Sequence, residues 1–327
     1  MRKRLLALVL SGCLLCLSAC SPAATVTTTT IANTTAAQTT TTPTTTRKVT
    51  KGVKTTPATR KPSTTVTAAP TTTATTTTQP TTTTATIDYE SLPFTPVYST
   101  SEYFEARDFY DDVTEQTVKY LFHEPLRDSG EPMPLVIFLH GKGDSVTLGS
   151  PGTATPMVRS MMELENESYH YGAYTLVPST PLAHEGQWTD FQVLAFKMLL
   201  ADLIERYNID ESRIYLSGVS MGGFMTCQLV NEMPGTFAAA VPLSGAQNVR
   251  VPLTSHVTAF RIYHVATDPV VDVSRSRSLY QQLVESGHPN VEYIEYPDGS
   301  HISPIYTVFE HNRDAFFDWL FSQRLPQ

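Results

Sequence analysis

Arg213-Ile214-Tyr215-Leu216-Ser217-Gly218-Val219-Ser220-Met221-Gly222-Gly223 passes from an apolar stretch straight into a serine flanked by glycines, and Phe224 to Met233 continues with a helix-like pattern. A Gly-x-Ser-x-Gly match arises by chance in about one chain in ten of this length, so the motif alone decides little. Its setting decides more. A strand just before, a helix just after, and glycines where a sharp turn has no room for a Cβ are what a nucleophile elbow requires. In such a turn Ser220 would hold its hydroxyl exposed, and the Met221 amide at the helix start would face a developing oxyanion.

Outward from this motif, apolar runs of strand length alternate with helical patterns. Strands are expected at Thr117 to Phe122, Leu135 to His140, Tyr174 to Val177, Arg213 to Ser217, Ala239 to Leu243, Phe260 to Val265 and Val291 to Tyr296. Phe191 to Tyr207 places Val193, Leu194, Phe196, Leu199, Leu200, Leu203 and Ile204 on one helical face, and Asp210 is expected to start the turn into the next strand. This alternation predicts an α/β fold with a mostly parallel central sheet and helices on both faces. Reactive groups then belong at the carboxyl ends of the strands.

A serine nucleophile needs a base, and the base needs an acid to fix its tautomer. His301, in Pro297-Asp298-Gly299-Ser300-His301 after the last strand, holds the position of the base. Asp268, three residues past the strand ending at Val265, holds that of the acid, with Asp272 and Asp298 as competitors. The run Leu135-Val136-Ile137-Phe138-Leu139-His140-Gly141-Lys142-Gly143-Asp144 predicts a second oxyanion donor at the amide of Gly141 or Lys142, with His140 as the hinge of that loop. His264 is expected to line the strand end close to Asp268. His123, His170, His184, His256, His288 and His311 read as exposed loop or helix residues. No histidine, carboxylate or cysteine cluster has metal-ligand spacing, and the glycine loops match neither a P-loop nor a dinucleotide fingerprint, so no cofactor and no metal are expected.

The amino-terminal segment has a different character. Arg2, Lys3 and Arg4 precede an apolar run of about 15 residues from Leu5 to Ala19, shorter than a membrane span, which reads as a secretory signal over residues 1–19. Leu17-Ser18-Ala19-Cys20 resembles a bacterial lipobox, which implies cleavage before Cys20 and lipidation of that cysteine. The next stretch is about half threonine, carries Pro43, Pro57, Pro62, Pro70 and Pro80, and cannot bury enough apolar surface to offset chain entropy, so 20–86 is expected to be a disordered, extended stalk. Residues 87–327 then form one catalytic domain. Cys13 and Cys16 would leave with the signal, and Cys227 reads as a small core residue.

Charge narrows the function. Beyond residue 87, 14 basic residues face 31 acidic ones, a net charge of −17, which disfavours nucleic acid and any direct docking on an anionic membrane. Membrane attachment is therefore expected through the lipid anchor alone, on the extracellular face of the cell membrane, with the domain a monomer.

The motifs resemble the α/β-hydrolase superfamily, and within it the secreted esterases grouped as predicted peptidases, polyhydroxybutyrate-depolymerase-like and feruloyl-esterase-like enzymes. The likeness spans nearly all of Leu121 to Arg324 and rests on Pro134 to Gly141, on Tyr207-Asn208-Ile209-Asp210 leading to the Ser220 elbow, and on Phe237-Ala238-Ala239-Ala240-Val241-Pro242-Leu243-Ser244-Gly245. It implies Ser220, Asp268 and His301 as a triad. Relatives usually have His-Gly where this chain has His264-Val265, and proline where it has Asp272, so the acid loop is the part whose shape the likeness predicts least. Trp188 falls in a region that lines the substrate cleft of such enzymes, as a platform for an aromatic acyl group or sugar, or else anchors its loop on the sheet. The function implied is a surface-anchored serine carboxylesterase, by analogy on acetyl or feruloyl groups of plant polysaccharide. A serine peptidase of prolyl-oligopeptidase type and a non-catalytic binding module are the alternatives.

Overall fold

A computed structural model of the chain describes residues 87–326 apart from 145, 148, 181–187, 189, 248 and 250–255. The expectations for the signal, for Cys20, for the threonine-rich segment and for His184 therefore lie outside the described residues.

Eight strands form one sheet in the order β1-β2-β4-β3-β5-β6-β7-β8. They are β1 (Glu105–Asp111), β2 (Gln116–His123), β3 (Met133–Leu139), β4 (Tyr174–Ser179), β5 (Ile209–Val219), β6 (Ala239–Leu243), β7 (Ala259–Val265) and β8 (Val291–Tyr296). The first two are antiparallel to their neighbours, and β4 through β8 with β3 are mutually parallel. This is the mostly parallel α/β sheet expected from the alternation of runs, and it agrees with the α/β-hydrolase fold that the resemblance implies.

Every residue of β3 is buried because the sheet is covered on both sides, and the alternation of side chains along the strand divides them between two cores. Leu135, Ile137 and Leu139 face one core, which also holds Phe196, Leu199 and Leu203 from α2 (Asp190–Arg206), Leu229 and Val230 from α3 (Met221–Glu232), and Leu279 and Leu283 from α4 (Ser274–Glu285). Val136 and Phe138 face the other, packed on Met157, Val158 and Met161 of α1 (Thr155–Glu167) and Phe316, Phe317 and Leu320 of α5 (Arg313–Ser322).

The structure departs from the sequence expectations in several places. β1 is an added edge strand, paired Glu105 to Phe122 through Asp111 to Gln116. β5 begins at Ile209, so Asp210 lies inside the strand and not in a turn before it; its carboxylate accepts Ser212 N–H at 3.0 Å and Arg213 Nε–H at 2.7 Å. α3 begins directly after Ser220, three residues earlier than the apolar pattern suggests. His123 and His288 are buried, not exposed. His123 is held by the Glu165 carboxylate at 2.8 Å and stacks on Tyr103, a pairing of groups far apart in the chain that only the packed fold supplies.

The parallel register aligns the carboxyl ends of the strands. Leu139 pairs with Gly218, Val219 with Leu243, and Val265 with Tyr296. The loops carrying Gly141, Ser220, Asp268 and His301 consequently leave the sheet along one rim. Ile87 to Glu90 lie at the other end, where Tyr89 stacks on Tyr169 with ring centroids 4.3 Å apart and the Glu90 carboxylate accepts the Ser168 hydroxyl at 2.8 Å. A cavity of about 560 Å³ sits at that end, bordered by Ile87, Met133 and Tyr169, and contains none of the expected reactive residues.

Candidate active site

Ser220 sits between β5 and α3 with φ 55° and ψ −116°, a backbone state that an L-residue holds only where its surroundings enforce it. They do so through its own N–H, which donates to the Leu243 carbonyl at 2.8 Å, and its carbonyl, which accepts Phe224 N–H at 3.0 Å. The glycines of the motif are demanded by contact. A Cβ on Gly222 would lie 2.0 Å from the Leu139 carbonyl oxygen, and one on Gly218 would lie 2.5 Å from that of Gly222. The elbow is thereby pressed against the end of β3, and a Cβ built on Gly141 would stand 3.8 Å from that of Ser220.

The Gly141 loop is braced from two sides. Thr180 N–H donates to His140 Nε2 at 3.0 Å, so that nitrogen is the bare one; the proton sits on Nδ1, 2.7 Å from the Gly141 carbonyl. Burial pushes the His140 imidazole below the usual histidine value, against the opposing pull of the Gly141 carbonyl and Asp144. His140 is thus a neutral brace, in keeping with the hinge expected of it. Asp144 Oδ2 accepts both the amide and the hydroxyl of Thr153 at 2.6 Å and closes the loop over the start of α1. Gly141 N–H donates to Thr153 Oγ1 at 3.4 Å. Because N–H and C=O of one peptide point in opposite directions, fixing the Gly141 carbonyl on His140 also fixes the direction of the Lys142 amide.

The Asp268 side chain is fully buried and receives four donors. Its Oδ1 accepts the amides of Val270 at 2.8 Å and Val271 at 3.1 Å; its Oδ2 accepts His301 Nδ1–H at 2.7 Å and His264 Nε2–H at 3.1 Å. Burial alone would raise this carboxyl, but the bonds from His301, Val270 and Val271 outweigh it and hold it below the usual aspartate value. His301 Nε2 is buried with no hydrogen-bond partner among the described residues. Neither competitor bonds the histidine among the described residues: the exposed Asp272 accepts Ser274 N–H at 2.8 Å, and Asp298 is exposed. His264 is buried at the strand end, where its Nδ1 accepts the Ser276 hydroxyl at 2.6 Å and its Nε2 faces both Asp268 and the Val271 carbonyl, 3.0 Å away. The position of His264 near Asp268 is legible from the four-residue separation across a strand end, whereas the bond between them is not.

Trp188 packs edge-to-face on Phe196, with centroids 6.2 Å apart, and 5.6 Å from the His140 ring, contacts that favour the anchor over the platform. Cys227 is buried in the core, where desolvation pushes its thiol up to about 12, so it is a packing residue as expected. Among the described residues no three histidine, cysteine or carboxylate groups gather as a metal site would need.

Residues 174–310 match the family model described as Phospholipase/Carboxylesterase. A poly(3-hydroxyalkanoate) depolymerase C of Paucimonas lemoignei is 35% identical over 54 residues, which is 16% of this chain and 13% of the depolymerase. The solved structure of a thermostable esterase is 29% identical with a TM-score of 0.55, covering 68% of this chain and 64% of that one. A ferulic acid esterase from Anaeromyces mucronatus, solved in complex with ferulic acid, shares the fold at 15% identity with a TM-score of 0.52, over 67% of this chain and 90% of its own. The chain thus spans less than two thirds of the first two relatives. The matched segment is less than half of the chain; with the shared architecture and the elbow at the end of β5, it marks an α/β-hydrolase fold similar to that of esterases.

Proposed function

We propose that the domain is a serine carboxylesterase with Ser220 as nucleophile, His301 as general base and Asp268 as the acid that orients it. Ser220 Oγ attacks the ester carbonyl as His301 Nε2 takes its proton; the carbonyl oxygen, now anionic, is held by the amides of Met221 and the Gly141–Lys142 loop. The tetrahedral species collapses to an acyl-enzyme, and His301 returns the proton to the departing alcohol. Water then attacks the acyl carbon, deprotonated by the same nitrogen, and releases the acid and free Ser220. The observation that carries this reading is the 2.7 Å bond from His301 Nδ1 to the buried Asp268 carboxylate, with Nε2 of the histidine left without a hydrogen-bond partner among the described residues.

The acyl groups proposed are acetyl or feruloyl esters on plant polysaccharide, supported by the fold shared with a ferulic acid esterase. The leader and threonine-rich segment support display on the extracellular face through a lipid on Cys20. The test is turnover by the full chain of 4-nitrophenyl acetate and of acetylated or feruloylated xylo-oligosaccharides, beside Ser220→Ala. Loss of about a thousandfold or more in the variant supports the reading. Equal rates in both proteins, or cleavage of peptides in place of esters, refutes it. Labelling with a fatty acid that survives Cys20→Ala refutes the anchor.

A further inference from the structure

Beside the proposed nucleophile lies a groove of about 500 Å³ walled by Phe224, Gln247, Val270, Val271, Asp272 and Arg275. Two of its walls are fixed directly to the proposed machinery. Phe224 is one helical turn beyond Ser220 and bonds its carbonyl, while Val270 and Val271 give their amides to Asp268. A group attached to an ester at Ser220 therefore has this groove within reach.

The lining combines two chemistries. Phe224, Val270 and Val271 supply apolar surface; Arg275, on the first turn of α4, supplies a guanidinium whose carbon lies 5.5 Å from the centre of the Phe224 ring. Among the described residues Arg275 forms no ion pair, whereas Arg277 two positions on is paired with Glu295. Asp272 contributes the one carboxylate of the groove, and its Oδ1 is already engaged by Ser274 N–H. Gln247 is partly committed as well, since its Nε2 donates to the Phe224 carbonyl at 3.1 Å. The Asp272 carboxylate feels both Arg277 and Arg275 and so answers the Arg275 charge in part, but no carboxylate among the described residues forms a direct ion pair with that guanidinium, which stands at the end of an apolar wall.

The geometry points to a subsite for substrates whose acyl or alcohol part is a short apolar stem ending in a carboxylate, with Arg275 pairing the carboxylate and Phe224 and the two valines covering the stem. The assignment rests on the esterase reading above and adds a substrate class to it. It also runs against the domain's net charge of −17, so the preference must come from this local contact and not from long-range attraction. Arg is suited to the task because its planar guanidinium can offer two parallel N–H donors to one carboxylate.

The test compares two esters that differ only in that charge, 4-nitrophenyl hydrogen glutarate and its methyl ester, on the full chain and on Arg275→Gln. The expected result is a ratio of kcat/KM, free acid over methyl ester, of about five in the wild type, the upper range for one solvent-exposed ion pair, falling towards one in the variant. A wild-type ratio of one or less, or a ratio unchanged by the substitution, overturns the subsite and leaves the esterase reading standing. Turnover of neither ester, with Ser220→Ala identical to the wild type, removes both. Should Arg275→Gln fail to fold, Arg275→Lys and competitive inhibition of the wild type by glutarate against dimethyl glutarate decide. Retained preference in the lysine variant with inhibition by the dianion alone supports the subsite, and equal inhibition by both overturns it.

Discussion

His264 Nε2 lies 3.1 Å from Asp268 Oδ2, the same oxygen that receives His301 Nδ1–H. With two amides on Oδ1, the carboxylate cannot rotate without breaking four bonds at once, so His264 acts on the proposed base by holding its acid. Replacing it with phenylalanine should lower kcat by about tenfold to a hundredfold with KM little changed, and His264→Gln, whose amide can donate, should recover part of the loss. Steady-state kinetics on the three proteins checks this; a loss confined to KM would contradict a positioning role.

The two buried neutral histidines also set a pH dependence of stability. Burial lowers His264 and His140 below the usual 6.5, so the folded protein resists a proton that the unfolded chain accepts. Their contribution is complete above 6.5 and is lost as pH falls through the lowered folded values; Asp268, held below 3.8, acts with the same sign at more acidic pH. The thermal midpoint should therefore fall between about pH 7 and about pH 5, and fall less steeply in His264→Gln. A midpoint flat across that interval in the wild type would be the contrary finding.

Two glycine substitutions should differ in kind. Gly222→Ala would drive a methyl to 2.0 Å from the Leu139 carbonyl oxygen, a backbone clash with no side chain to yield, and should cost about 3 kcal/mol or more. Gly143→Ala meets nothing within 4 Å, but φ is 75°, so its cost should stay near 1–2 kcal/mol, roughly that of a left-handed L-residue. Urea unfolding of both variants measures the gap, and equal losses would mean that the elbow yields more easily than its contacts suggest.

Cys227 should be chemically silent while the protein is folded. With its thiol fully buried and pushed up to about 12, thiolate is scarce and inaccessible. Iodoacetamide at neutral pH should leave the peptide containing Cys227 unmodified in native protein and modify it fully in denaturant, as read by mass spectrometry. Rapid native labelling would show that α3 opens.

What the sequence disclosed, and what it concealed, follows burial. β3 announces itself because all seven of its residues are apolar or proline and buried on both faces. β1, Glu105-Ala106-Arg107-Asp108-Phe109-Tyr110-Asp111, is exposed or half-buried along most of its length and carries charges at Glu105, Arg107, Asp108 and Asp111, so its strand character comes only from pairing with β2. A serine, an acid and a histidine could be proposed because a parallel sheet puts reactive groups at strand ends, and the strands themselves were legible. The supporting shell could not: His264 on Asp268, His140 on Gly141 and Asp144 on Thr153 depend on side-chain directions within loops, which no periodicity encodes.

Met133, at the start of β3, and Tyr169 lie at the end of the sheet remote from the loops of Ser220, Asp268 and His301. A domain gripped by that end is gripped by its back. Coupled to a bead or an electrode through a residue at that end, such as the exposed Glu131, it would present its rim outward, and a substrate many times its own size could approach without the support standing in the way.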